Sequence, residues 1–190
     1  HAPKPWLNWV RKRTYKPLRA ETSSKTRTKE QQTRLSREGK AVIKLIHSSF
    51  SAKGDAIKFE VVAKSIVEYY MPNAHDIELT RPWRDGGRDA LGKYRICNGA
   101  GGIDVEFAME AKCYALTNAV GVDATSRLIS RIRHRQFGVL VTTSYLGDQA
   151  YKEIVDDGHP IVVICATDIA KILLRKFANL EHIQLWLEGF

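Results

Sequence analysis

The sequence predicts an α/β fold in which a central mixed sheet is flanked by helices on both faces. Three observations predict it. Two segments with apolar residues at helical spacing come first, and three extended segments separated by glycine-rich turns follow. The chain then alternates helix and strand, and the strands of this last part are apolar on both faces, as strands covered on both sides must be.

Helical periodicity begins near Leu35, where Ala41, Val42, Leu45 and Ile46 recur up to Phe50. A Ser-Ala-Lys-Gly-Asp turn leads to a second helix over 57–70, with Phe59, Val62, Ala63, Ile66 and Tyr70 on one face. Met71-Pro72-Asn73 ends it, because a residue before proline is driven out of the helical region. Extended segments over 75–80, 88–96 and 103–114 are divided by Asp85-Gly86-Gly87 and by the run from Asn98 to Gly102, and read as an antiparallel meander. Beyond them the spacing predicts helix over 123–136, strand over 137–143, helix over 147–156, strand over 161–165 and helix over 168–177. Thr142, Thr143 and Ser144 stand where a buried strand emerges, a position that suits hydroxyls capping the next helix.

A chain of 190 residues is long enough for one domain with a hydrophobic core and an extension. Charge shows where the extension lies. Residues 1–40 carry 12 Lys and Arg against 3 Asp and Glu, which accounts for the whole formal net charge of +9; the other 150 residues are balanced. Residues 1–34 are therefore expected to be a basic N-terminal arm or linker and 35–190 the body. Such an arm suits contact with phosphates, and equally a solvated connection to another domain. Trp6 and Trp9 in this arm are candidates to dock on the body or on a partner. Beginning at His1, the chain reads as a piece of something longer. It holds neither a membrane-length apolar run nor a secretory signal pattern, so no membrane association and an intracellular, cytoplasmic setting in a prokaryote are expected. Cys97, Cys113 and Cys165 are odd in number and widely spaced, which supports neither a disulfide framework nor a zinc site.

The segment over 103–114 alternates unusually. Val105, Phe107, Met109, Ala111 and Cys113 share one face; Asp104, Glu106, Ala108, Glu110 and Lys112 share the other. The strands that follow are too apolar for a solvent-exposed edge, which places this strand near the centre of the sheet. Glu110 and Lys112 then stand about 7 Å apart on a partly covered strand, where charges are costly without a partner or a metal. Asp89 opens the preceding strand, and antiparallel pairing can bring it beside Glu110. Two neighbouring carboxylates repel, and a hard divalent cation such as Mg²⁺ relieves the repulsion while leaving coordination positions for a phosphate. Lys112 is placed to orient a nucleophile and stabilise developing negative charge. Asp104, in Gly101-Gly102-Ile103-Asp104-Val105, is the rival carboxylate. It lies six residues before Glu110 on the same strand, about 20 Å away, too far to share one metal.

Asp89 followed by Glu110-Ala111-Lys112 resembles the D…(D/E/Q)xK signature of the restriction-endonuclease-like, PD-(D/E)xK, superfamily. Together with Phe59-Glu60 and the run from Gly138 to Ser144, the chain is most similar to the Mrr-type restriction endonucleases and the archaeal Holliday-junction resolvases over about 57–176. The resemblance implies an αβββαβ core and Mg²⁺-dependent cleavage of duplex DNA, with Mn²⁺ able to substitute. It also implies that Glu60 assists metal or water binding. From spacing alone, Glu60 sits at the edge of its helix's apolar stripe and fits an exposed flanking position as well. Many Mrr-type proteins carry Gln where this chain has Glu110, which gives this site one more negative charge.

Arg127, Arg131, His134 and Arg135 form a stripe on the helix after this strand. They suit either a DNA backbone or a solvated face. The expected function is the cleavage domain of a larger restriction enzyme, with Asp89, Glu110, Lys112 and Glu60 catalytic, the three carboxylates on the metal, and Arg127, Arg131 and Arg135 on DNA. A separate DNA-recognition domain and a homodimer cutting both strands accompany that expectation. A structure-selective junction resolvase and a catalytically silent DNA-binding module are the alternatives.

Overall fold

The computed structural model describes residues 26–52, 54–80, 89–97, 99–132, 135–156 and 158–190. The Trp6/Trp9 segment, the Asp85-Gly86-Gly87 turn and His134 lie outside the described residues. The elements are α1 (Lys29–Thr33), α2 (Arg37–Phe50), α3 (Ala56–Tyr70), β1 (Ala74–Leu79), β2 (Ala90–Ile96), β3 (Ile103–Lys112) and β4 (Ala119–Val120). There follow α4 (Val122–Ile132), β5 (Phe137–Thr142), β6 (Tyr145–Leu146), α5 (Asp148–Asp156), β7 (Ile161–Ile164), α6 (Ala166–Lys176) and α7 (Leu180–Leu187).

The main sheet has the order β1-β2-β3-β5-β7. Its first two pairings are antiparallel, and those of β3 with β5 and β5 with β7 are parallel. The expected mixed sheet is thus present, and β3 is its central strand. One face packs on α3 and α6, joined by α2 and α7, through Phe59, Val62, Ile66, Phe107, Met109, Val139, Val141 and Ile169. The other packs on α4 and α5 through Ala108, Leu128, Ile132, Leu140, Leu146 and Ile154. This two-sided covering is why β5 and β7 lack a polar face. The face of β3 expected to be ionic is so only in its first half. Asp104 and Glu106 are exposed, whereas Ala108 belongs to the second core and Glu110 is buried.

Several boundaries differ from the sequence reading. The helix expected over 123–136 is described as far as Ile132, and Arg135 lies beyond it, its backbone N–H donating to the Ile132 carbonyl. Cys165 leaves β7 to become the N-cap of α6, where the Asp168 carboxylate accepts its backbone N–H. The Thr142–Ser144 hydroxyls cap no helix. Thr142 Oγ1 accepts the Ser144 N–H, while Thr143 and Ser144 donate to the carbonyls of Tyr114 and Asn118 and so tie down the segment leading to β4.

The largest difference concerns the arm. Its last residues, 26–34, pack on the body: Gln32 is fully buried, and the Arg27 guanidinium reaches the Asp168 carboxylate at 2.7 Å and the Val163 carbonyl at 2.6 Å. A capping box at Thr28, whose hydroxyl accepts from Gln31 while the Gln31 side chain accepts the Thr28 N–H, starts α1. No helix among the described residues is long and apolar enough to cross a membrane.

Candidate active site

β3 outruns β2 at the end of the sheet. The last paired residues are Ala90 and Met109, and one step further Asp89 comes opposite Glu110. There the Asp89 side chain takes over from the backbone ladder. Its N–H donates to the Met109 carbonyl at 3.3 Å, and its Oδ2 accepts the Ala111 N–H at 2.6 Å. This fixes the carboxylate against β3, with the residue 8% exposed. Burial raises the Asp89 carboxyl above its ordinary value; Lys112 opposes that shift, and Glu110 adds to it.

Glu110, with a side chain 1% exposed, is surrounded by cations. Lys112 Nζ lies 2.8 Å from Oε1 and 3.7 Å from Asp89 Oδ2, and donates to the Ala111 carbonyl at 2.9 Å. From α4, Arg131 Nη1 donates to Glu110 Oε2 at 2.7 Å and Arg127 Nη2 lies 3.4 Å from Oε1. A buried carboxylate costs several kcal/mol unless its charge is compensated, and here three side chains compensate it. Oε1 nevertheless accepts no well-directed hydrogen bond, since its contacts with Lys112 and Arg127 are those of charge proximity.

Glu60 enters from α3, half-buried. Its carboxyl is pushed up to about 7, first by burial and then by the negative charge of Asp89, with Lys112 opposing and Glu110 adding. The four residues that the sequence singled out therefore form one electrostatic group. Asp104 stands apart: exposed, held by Arg95 at 3.1 Å and His75 at 3.3 Å, with its carboxyl lowered chiefly by the Arg95 hydrogen bond.

The arginines are placed differently from the expected DNA-facing stripe. Arg131, its side chain 10% exposed, turns inward to Glu110, and Arg127, half exposed, leans the same way. Arg135 donates from Nη1 to the Arg131 carbonyl at 3.1 Å. Sequence spacing put the arginines on one stripe but did not reveal that a long guanidinium stem can reach over the edge of an apolar face to a buried carboxylate.

The donor set of the site is carboxylate oxygen, which favours hard divalent cations over thiophilic ones. The buried Oε1 of Glu110, which lacks a well-directed hydrogen bond, and the neighbouring Asp89 carboxylate are the donors that would fit such an ion. Among the described residues no three carboxylate, histidine or cysteine side chains stand at metal-holding spacing, so Glu60 does not complete a ready three-carboxylate cluster.

Residues 52–173 match the catalytic-domain family of Mrr-type proteins, described as restriction endonuclease. No curated protein matches the chain. Among solved structures, the chain is similar to the DNA modification-dependent restriction endonuclease AspBHI, with 44% identity and a TM-score of 0.79, over 99% of this chain and 48% of that one. A second similar structure, the MspJI restriction endonuclease in complex with a 27-mer oligonucleotide, has a TM-score of 0.71 at 24% identity, over 100% of this chain and 44% of that one, a likeness of fold. The chain spans about half the length of each.

Proposed function

The chain belongs to the Mrr-type restriction endonuclease family, and we propose on that premise that it is the DNA-cleaving part of a larger, modification-dependent restriction enzyme. The observation that carries this reading is the buried Glu110 carboxylate set beside Asp89 and Lys112 at the open end of the sheet. The modification dependence comes from the likeness to AspBHI, and the recognition of modified DNA is assigned to the part of such an enzyme that this chain does not span. Double-strand cleavage by one site per chain calls for two copies.

In this reading Asp89 and Glu110 would hold Mg²⁺, or Mn²⁺ in its place, which would supply Lewis-acid polarisation of a phosphodiester and a more acidic water. The chain's own residues do the rest. Lys112, anchored by the Ala111 carbonyl, presents its ammonium group where negative charge develops on the phosphorus oxygens and helps orient the attacking water. Glu60, half-buried with its carboxyl raised by burial and by the charge of Asp89, is suited to accept and hold a proton at its carboxylate. The hydrogen bond from the Ala111 N–H keeps the Asp89 carboxylate in place against β3.

Incubating the chain and its Lys112→Ala variant with modified and unmodified plasmid DNA in Mg²⁺ tests the proposal. The native chain is expected to nick both plasmids, because discrimination belongs to the remaining part of the enzyme. The variant should be slower by about 100-fold or more. Equal nicking by the two proteins would remove Lys112 from the site, and binding without metal-dependent cleavage would leave a DNA-binding module.

A further inference from the structure

Glu110 is met by three cationic side chains, one of which, Lys112, it shares with Asp89. Its Oε2 holds Arg131 at 2.7 Å, and its Oε1 lies within 3.4 Å of both Lys112 and Arg127. A divalent ion at Glu110 and Asp89 would meet three cations already gathered on one of its ligands. Lys112 comes from β3 itself and is held by the Ala111 carbonyl. The two arginines are different: they reach in from α4 on long stems, and the Arg127 side chain is 53% exposed. A guanidinium has equally good partners in carboxylate and phosphate oxygens.

We propose that Arg131, assisted by Arg127, is a counter-ion latch that holds Glu110 while the site lacks metal and passes to the phosphate backbone of DNA when metal takes the carboxylate. The inference rests on the metal-site reading given above. Two bindings are thereby linked. Metal releases the guanidiniums that DNA uses, DNA withdraws the guanidiniums that metal must displace, and each raises the affinity of the other by the same factor. The arginines become positioning residues, and the buried carboxylate never stands uncompensated in either state.

Calorimetric titration of the full chain with Ca²⁺ alone, free of DNA, tests this in the native protein and in Arg131→Ala, Arg127→Ala and Glu110→Gln. A parallel measurement reads duplex DNA affinity with and without Ca²⁺. Arg131→Ala should bind Ca²⁺ about five- to tenfold more tightly than the native chain, and its DNA affinity should respond little to Ca²⁺. Arg127→Ala should show the same changes to a smaller degree, and its exposed position keeps the test usable if Arg131→Ala fails to fold. Glu110→Gln should lose Ca²⁺ binding. Unchanged or weaker Ca²⁺ binding in both arginine variants, with Glu110→Gln still disabling, overturns the latch and leaves the metal site standing. Ca²⁺ binding indifferent to Glu110→Gln overturns the metal site and the latch with it.

Discussion

Glu60 lies half-buried on α3, where burial and the charge of Asp89 hold its carboxyl at about 7 against an ordinary 4.5. A carboxyl whose folded value is raised keeps its proton in the native state over a range where the unfolded chain has lost it. Its contribution to stability is therefore fully present below about 4.5 and is lost as pH rises through about 7. Glu60→Gln removes that loss. In the metal-free chain the variant should show a smaller fall in Tm between pH 5 and pH 8 than the native protein, which thermal melts across that range would read. Parallel melting curves would mean that Glu60 titrates as an ordinary surface carboxyl. The residue's place near Asp89 was legible only through the resemblance of Phe59-Glu60 to a family, because its spacing fitted an exposed helix flank equally well.

At the scale of elements, the approach of α4 to the sheet depends on Gly138. A Cβ there would lie 2.8 Å from Ile132 Cδ1 and 3.1 Å from Leu128 Cγ, so the helix seats directly on the β5 backbone and carries Arg127 and Arg131 within reach of Glu110. Gly138→Ala should destabilise the chain by about 1–3 kcal/mol through overpacking, and by lifting α4 it should loosen the arginines from Glu110. Gly92→Ala is the comparison, because its Cβ would run into the Phe107 ring, in the opposite core. Both variants should lower Tm, but only Gly138→Ala should alter Ca²⁺ affinity. If the two changed it equally, the packing of α4 would have no part in setting the site. The helix itself was legible, and so was β3, whose alternation put Glu110 and Lys112 on one face. The depth of Glu110 was not legible. It depends on a glycine in one strand and two apolar side chains in a helix meeting across a distance in sequence that periodicity does not address.

For the whole molecule, the N-terminal segment decides what counts as the body. The alternation of helix and strand made the two-faced sheet legible, but α1 has only five residues and no apolar stripe, so nothing in its pattern announces a buried element. Its anchor is a polar side chain. Gln32 Nε2 donates to the carbonyls of Arg27 at 3.0 Å and Leu146 at 3.1 Å, while its Oε1 accepts the Leu146 N–H at 2.8 Å. It thus pairs like a backbone unit with β6, and the Gln32 carbonyl in turn accepts from Thr167 at 2.7 Å. This joins the basic arm, the strand end after β5 and the start of α6. Gln32→Ala leaves the Leu146 N–H and C=O without those partners in a buried place, a loss of about 1–3 kcal/mol for each group so stranded. Gln32→Ala should therefore unfold at lower denaturant with an unchanged slope, since the folded core it leaves is the same size. Arg27→Ala, which releases a half-buried link between the arm and Asp168, should cost less. An Arg27 variant that destabilised as much as Gln32→Ala would show that charge, rather than the buried amide, fastens the arm to the body.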